Sequence, residues 1–437
     1  MLAWQAFHLK TLKYPQLKSE HYTMLRIIHT ADWHLGHHLH GISRHYEHQQ
    51  FLDWLLYQLQ QQKADALVVA GDIFDTANPS AAAQTQLYDF LLKARTQCPQ
   101  LDIILVGGNH DSAARLDAPA ALLKALGVAV VGGLSRGLQG EIDWQRLLVP
   151  LTNKQGELKA WCGAMPFLRH GDLPDNHSGD DPLIAGVKTL YQQLIAQLQQ
   201  QAKNDEALLL TGHCYMVGGN ISELSERKIL GGNQHALPMD IFSDDIHYTA
   251  LGHLHLAQTV GGNESVRYSG SPIPLSFDEQ HYRHQVVQVD LAADKSIKVA
   301  SLLVPRSVEI LRMPNSKDYC SLDSVLQQLT EHKFTANLVL EQQPMLELRI
   351  SLEKPEPGLR QQIELCVKDL PVRLLKISTA YTGSEKGLAD IVAEQRLEDL
   401  QPEDVFQRCY ANKYDTAAPD AIVQLFNELH ESLQGGE

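Results

Sequence analysis

Apolar residues along the chain follow two rhythms. Apolar-rich runs of strand length, Leu25 to His29, Ala66 to Ala70, Asp102 to Val106, Ala207 to Leu210 and Ile246 to Leu251, alternate with stretches whose apolar positions recur about every 3.6 residues. One such stretch sets Phe51, Leu55 and Leu59 beside Leu52 and Leu56 as a single stripe, the mark of a helix lying on a core. Ser43 and Ser80 stand where N-caps are expected, because a hydroxyl accepts from the free N–H groups of a first turn. From Met24 to about residue 255 the chain therefore predicts an α/β layout.

Beyond that point the rhythm changes. The turn Gly261-Gly262-Asn263 and alternating runs such as Gln285-Val286-Val287-Gln288-Val289 predict antiparallel strands that complete a first domain, residues 24–304. Residues 305–382 read as a smaller unit, βαββαβ-like or βαβαβ. Its strands are Val308 to Leu311, Leu346 to Ile350 and Val372 to Ile377, with helices near Leu322 to Leu329 and Leu359 to Leu370. Residues 383–437 are polar and helical, ending in short helices around Val405-Phe406 and Ile422 to Leu429. Residues 1–23 carry no amphipathic period. They are expected either to lie outside the fold, with Met24 as the natural start, or to form a short structured arm.

Composition narrows the function classes. With 437 residues, 44% hydrophobic and 20% charged, the chain has the make-up of an ordinary globular protein. No run approaches the roughly 18 apolar residues of a membrane-spanning helix, and the first residues lack a secretory apolar run, so a cytoplasmic protein is expected. The formal net charge is -15, which excludes a general basic footprint for nucleic acid. A polyanion must then be held by a local basic patch, a partner, or bound cations that reverse the sign of an acidic site. The six cysteines are far apart without a CxxC pair, which argues against a thiolate zinc site or a disulfide framework. With 21 histidines, only the placement of a histidine carries information.

Candidate chemistry gathers at the C-terminal ends of the five strand runs, where open α/β sheets place their sites. Asp32-Trp33-His34 sets two metal-capable side chains two residues apart, so an extended backbone would point both the same way. Gly71-Asp72-Ile73-Phe74-Asp75 follows the second run, Gly108-Asn109-His110-Asp111 the third, and Gly212-His213 the fourth. After the fifth, Gly252-His253-Leu254-His255 spaces two imidazoles for one face of an extended segment. Each piece alone has a bland reading, a turn Asp, an Asx turn or a structural His; the shared position argues for a site. Asp32, Asp72 and Asn109 supply oxygen donors, and His34, His213, His253 and His255 supply nitrogen. Seven donors exceed the needs of one ion. With one shared carboxylate they match a binuclear centre suited to manganese, iron or zinc more than to calcium or magnesium. Such ions sit roughly 3.5–4 Å apart and clamp the two oxygens of a phosphoryl displacement, which lets an acidic chain act on a phosphate.

In this order the motifs resemble the calcineurin-like metallophosphoesterase superfamily. The run His29-Thr30-Ala31-Asp32-Trp33-His34-Leu35-Gly36, with Gly71-Asp72-Ile73-Phe74-Asp75-Thr76, Gly108-Asn109-His110-Asp111-Ser112 and Gly270-Ser271-Pro272-Ile273-Pro274-Leu275-Ser276-Phe277, is similar in particular to the SbcD family, nuclease subunits of bacterial SbcCD complexes. Motifs carry the likeness to about residue 280, and layout carries it thereafter. The resemblance implies a β-sandwich flanked by helices, a smaller α/β capping domain at 305–382 and a C-terminal helical segment. It implies one ion on Asp32, His34, Asp72 and His255, and a second on Asp72, Asn109, His213 and His253, with Asp72 as the bridge. His110 then stays off the metals and stabilises or protonates the leaving oxygen, with Asp75 placed to orient it. Water activated by the ions is the implied nucleophile, so no protein nucleophile is required.

The same resemblance implies a Mn2+-dependent exonuclease on duplex DNA and endonuclease on single strands, serving DNA repair, recombination and replication. Its implied partners are an SbcC-like ABC-type ATPase and a second copy of the chain, a homodimer within a heterotetramer. The apolar stripe Phe406, Ile422, Leu425, Phe426 and Leu429 would dock on the coiled coil of the ATPase or pack against the small domain. Arg169 would touch a phosphate or form a structural ion pair, and Arg44 and His37 would touch DNA or belong to a solvated face. One rival reading is a phosphatase or phosphodiesterase for small substrates. Its pattern places Arg directly after the second Asp, where this chain has Thr76, and it gives the extra domains no use. A scaffold without catalysis is the other rival, opposed by the presence of every expected ligand.

Overall fold

Two mixed sheets grow from the apolar runs. The computed structural model describes residues 23–174, 181–217, 236–353, 356, 358–381, 406, 410 and 423. Its first sheet runs, in spatial order, Ile297–Leu303, Gln285–Ala292, Thr23–Thr30, Ala66–Ala70, Asp102–Val106 and Val128–Val131. The last four strands are parallel, and Gln285–Ala292 joins them antiparallel to Thr23–Thr30. The second sheet runs Gln258–Val260, Asn263–Tyr268, Tyr248–Gly252, Ala207–His213, Leu158–Ala164 and Leu148–Thr152, parallel at its centre and antiparallel at both edges.

Strand alternation sorts the side chains into two cores. Leu25, Ile27, Ala66, Val68, Ile104 and Val106 meet Leu151, Cys162, Leu210 and Ala250 of the second sheet. Their neighbours Ile28, Leu67, Val69, Ile103 and Leu105 turn the other way, onto helices His45–Gln61 and Ala81–Gln97. Burial on both faces is why Ala66–Ala70 and residues 103–106 read as unbroken apolar sequence, and each fully buried Val, Leu or Ile among them contributes about 1.5–3 kcal/mol. Helix Pro182–Gln201 packs on strand Leu158–Ala164 through the core that holds Leu190, Leu194 and Leu198. The result is a β-sandwich flanked by helices. His29 stitches the two sheets together, its ring nitrogens 2.9 Å from the Tyr248 hydroxyl and 3.1 Å from the Leu251 carbonyl.

The caps divide. Ser80 accepts from the Ala83 N–H at 3.2 Å, as its position predicts. Ser43 ends the short strand Ile42–Ser43 and Arg44 takes the N-cap place of helix His45–Gln61, yet the Ser43 hydroxyl still accepts from the His45 N–H of the first turn at 3.3 Å.

A third sheet carries the smaller unit. Strands Ile310–Met313, Met345–Leu352 and Arg373–Tyr381 are parallel and in sequence order, with helices Leu322–Glu331 and Leu359–Val367 as crossovers. This is βαβαβ, and Val325, Leu346, Leu348, Ile350 and Ile363 form its own core. Val308 stands outside the strand that was expected to contain it. It joins Leu39, Phe277, Ile310 and Met345 in an apolar cluster between this unit and the sandwich. Residues 1–22 and most of 383–437 lie outside the described residues. Among the described residues no helix is long and apolar enough to cross a membrane.

Candidate metal centre

The parallel strands of both sheets end on the same side, and the motif residues occupy the turns that follow. Extended backbone, however, is not what aligns them. The strands stop at Thr30 and Gly252, and Asp32, His34, Asp72 and His253 have φ of 55°, 47°, 47° and 107°. Positive φ is uncommon outside glycine and costs of order 1–3 kcal/mol, which surrounding structure must offset. Sharp turns, not strand alternation, aim these side chains inward.

Close packing enforces the turns. A Cβ on Gly71 would overlap the His213 ring, and one on Gly108 would collide with the backbone N and carboxylate of Asp72. Asp111 then staples two loops. Its buried carboxylate accepts from Ile73 N–H at 3.1 Å, Phe74 N–H at 3.0 Å and Gly108 N–H at 2.9 Å. Burial and the nearby Asp72 charge push Asp111 up to about 6 despite those three donors.

Three adjoining groups of donors result. Asp32, His34 and His255 place ligand atoms within 4.8 Å of one another, as do Asp32, Asp72 and His213, and so do His34, Asp72 and His110, which sets His110 within reach of the same cluster. Beside them Asn109 Oδ1 lies 2.9 Å from His213 Nε2 and 3.1 Å from His253 Nδ1, and Asp72 Oδ2 lies 3.3 Å from His213 Nε2. All of the named carboxylates and imidazoles are buried. Burial pushes Asp32 up to about 6, against the pull of His213 and His255. It would do the same to Asp72, but the charge and hydrogen bond of His213, with the rings of His34 and His110 nearby, hold that carboxyl well below its ordinary value. Burial also pushes His34 down to about 4 and His253 down to about 3, which keeps both rings neutral, the form that binds a cation. His213 goes the other way: burial would lower it, yet Asp72 and Asp32 draw it up to about 9. This group of anions therefore attracts positive charge.

His110 belongs to the same wall. Its ring stands edge-on to His34 at 4.7 Å between centroids, and its backbone N–H donates to Asp72 Oδ1 at 2.8 Å. The expected partner is corrected. His110 Nδ1 lies 2.8 Å from the main-chain carbonyl of Asp75, whereas the Asp75 carboxylate faces His34 Nδ1 at 3.3 Å and His37 Nδ1 at 3.0 Å. Burial would raise Asp75, but bonds to His34 and His37 outweigh it and hold the carboxyl far below the usual range.

A family model described as "Calcineurin-like phosphoesterase" matches residues 25–257, and one described as "Type 5 capsule protein repressor C-terminal domain" matches 304–414. Curated relatives named as the SbcD component of the SbcCD nuclease align over most of the chain. The Rhodobacter capsulatus protein is 37% identical, covering 88% of this chain and 94% of its own. Those of Escherichia coli K12 and Bacillus subtilis are 33% and 28% identical, each covering 94% of this chain and 99% of their own. The chain belongs to the SbcD family of calcineurin-like phosphoesterases. A solved dimetal phosphatase from Danio rerio, at 12% identity, covers 65% of this chain and all of its own with a TM-score of 0.38, too loose an overlay to add to that assignment.

The residues of this SbcD-family chain fit divalent cations. Both ring nitrogens of buried His34, of which Nδ1 has only the ion-pair approach of Asp75, and His253 Nε2 have no hydrogen-bond partner among the described residues, and an orphaned buried nitrogen needs a partner. A divalent ion, which takes mixed oxygen and nitrogen donors, would supply it.

The remaining expected residues scatter. Arg44 is fully buried, its guanidinium bound to the Glu47 carboxylate and, at 2.7 Å, to the Pro274 carbonyl, so it has no surface for DNA. Both His37 nitrogens are engaged, by Asp75 and by the Leu275 carbonyl at 3.1 Å, which makes it a support for Asp75. Arg169 is half-buried, donates to the Asp111 carbonyl at 2.8 Å and lies over the Phe167 ring, next to the site. Phe406 is helical and half-buried, 6.2 Å from the Tyr410 ring; Ile422, Leu425, Phe426 and Leu429 lie outside the described residues. Two supports escaped the sequence reading. Asp111 was visible in its motif without a role, and Glu279, which holds His255 Nδ1 at 3.0 Å, follows Gly270 to Phe277 with no local pattern to mark it.

Proposed function

We propose that this chain is the nuclease subunit of an SbcCD-like complex, a metal-dependent hydrolase of DNA phosphodiester bonds acting on duplex ends and on single strands. The observation that carries it is the convergence of Asp32, His34, Asp72, Asn109, His213, His253 and His255 on one buried wall beside His110. When bound, two divalent ions, with Asp72 as the ligand common to both, would lower the pKa of water toward neutrality and offset phosphate charge; the donor set suits manganese, iron or zinc, and the family resemblance favours manganese. The ligand division is Asp32, His34, Asp72 and His255 against Asp72, Asn109, His213 and His253.

His110 is the residue assigned to the leaving oxygen. A carbonyl only accepts, so the Asp75 main-chain oxygen keeps a proton on Nδ1 and leaves Nε2 to face substrate. From Nε2 a protonated ring can give its proton to the departing alkoxide. The Asp75 carboxylate, with His37 bound to it, faces His34 instead. Arg169 is the proposed phosphate contact, since one of its five donors is spent on Asp111. A net charge of -15 leaves capture of a polyanion to the cations and a partner, in keeping with an ABC-type ATPase bound through the C-terminal segment. Residues 305–382 would cap the site, with the chain paired to a second copy in the cytoplasm.

The test is cleavage of linear duplex DNA with Mn2+ and the ATPase partner. His110→Ala should retain both ions by calorimetry and lose about 10²–10⁴-fold in rate. Efficient hydrolysis of p-nitrophenyl phosphate with DNA left intact would favour the small-substrate phosphatase and overturn the nuclease.

A further inference from the structure

Behind the site stands a carboxylate that the roles above leave unused. Glu279 is 0% exposed, and its Oε1 lies 3.0 Å from His255 Nδ1. Its Oε2 accepts from the Leu275 N–H at 2.8 Å, which stops the group from turning. An ionised carboxylate only accepts, so His255 must carry its proton on Nδ1 and present the Nε2 lone pair to the cluster it shares with Asp32 and His34.

The same short helix reaches the small unit. Glu279 closes the 3-10 turn Phe277–Glu279. Phe277 packs with Val308, Ile310 and Met345. Asp278 accepts from Arg312 Nη2 at 2.8 Å, while Arg312 Nε donates to Glu347 at 2.6 Å. Glu347 is itself fully buried, with the Ser378 hydroxyl at 2.8 Å and Lys376 Nζ at 3.1 Å. Three successive residues thus meet an apolar cluster, a buried ionic network and a candidate metal ligand.

We propose that Glu279 is a positioning residue for His255, and that the Phe277–Glu279 turn makes the affinity for one cation depend on how residues 310–381 sit against the sandwich. The proposal rests on the metal-centre reading above and is independent of the substrate. Packing alone does not account for Glu279, because a glutamine of the same shape would fill the space. Such an amide would also accept from Leu275, but it would turn its NH2 toward Nδ1 and drive the imidazole proton to Nε2, the atom the cation needs.

The experiment is calorimetric titration of the metal-free full chain with Mn2+, paired with thermal melting of the metal-free protein. Wild type is expected to bind two ions. Glu279→Gln should lose about 10–100-fold in affinity for one ion and keep the other, with the metal-free melt near that of wild type. Asp278→Asn and Arg312→Met should weaken the same ion by a smaller factor. A Glu279→Gln titration that superimposes on wild type overturns the positioning role; unchanged binding by Asp278→Asn and Arg312→Met overturns the link to the small unit. If Glu279→Gln does not fold, Glu279→Asp, which shortens the arm by one methylene, and Asp278→Asn decide instead. Two ions bound by a wild-type protein that leaves DNA intact even with Mn2+ and the ATPase partner would sink the nuclease reading and leave this one standing.

Discussion

Removing the Asp111 carboxylate should loosen two loops at once. The change Asp111→Ala orphans three buried backbone donors, those of Ile73, Phe74 and Gly108, now held at 3.1, 3.0 and 2.9 Å. Each stranded donor costs about 1–3 kcal/mol, which sets an upper range of about 3–9 kcal/mol. Two effects reduce it. The Asp111 carboxyl is buried against the Asp72 charge, the cause of its rise to about 6, and its loss relieves that repulsion. Relaxation of the loops toward water recovers part of the rest. A net loss of about 2–5 kcal/mol remains, which for a domain of this size lowers the melting temperature by roughly 5–15 °C. Asp111→Asn keeps one acceptor oxygen and should fall between. Because Gly108 and Ile73 flank Asn109 and Asp72, Mn2+ affinity of Asp111→Ala should fall as well, although Asp111 is not an expected ligand. Melting of the metal-free chain and Mn2+ calorimetry read the two effects separately. A variant within about 1 kcal/mol of wild type and with unchanged Mn2+ binding would refute the staple.

Asp75→Asn should weaken Mn2+ binding about 10-fold through His34 and spare the His110 tether, which uses the main chain; a His110→Ala-like loss of rate at saturating Mn2+ would contradict this. Arg44→Met should destabilise the fold by about 3–5 kcal/mol, because it strands the buried Glu47 carboxylate, while DNA affinity by fluorescence anisotropy stays at the wild-type value. Acid should also weaken the sandwich. His29 is pushed by burial down to about 3 from an ordinary 6.5, so the unfolded chain takes up its proton first. Its contribution is full above about pH 6.5 and is lost as pH falls toward about 3, with a slope of at most about 1.4 kcal/mol per pH unit. His29→Gln should flatten that slope in urea titrations across the same window, and an unchanged slope would remove His29 as its source.

Legibility in this chain followed what a side chain announces by its type. Ala66–Ala70 and Asp102–Val106 appear in the structure with the bounds read from sequence, because burial on both faces leaves no polar position inside either run to blur it. Strands Leu148–Thr152 and Leu158–Ala164 escaped notice: the first carries an exposed Pro150 at a sheet edge, and the second mixes Lys159 and Gly163 into its run. The donors at the site were legible because Asp, Asn and His followed strand ends, yet the reason for their alignment was not. Positive φ at Asp32, His34, Asp72 and His253 is imposed by contacts such as Gly108 against Asp72, which join positions far apart in the chain.

Asp75 shows where reading by residue type stops. Its nearness to His110 was inferred correctly, but the atom that touches His110 is a main-chain oxygen, which every residue possesses and no letter records. The side chain that the letter does record turned to His34 and His37. Exchange of the residue therefore tests the wrong contact: replacing Asp75 alters the surroundings of a candidate metal ligand and leaves His110 tethered. To loosen His110 itself, the backbone between Phe74 and Thr76 must move, and Phe74 N–H is one of the three donors that Asp111 holds. Asp111, not Asp75, is thus the side chain through which the His110 tether can be weakened.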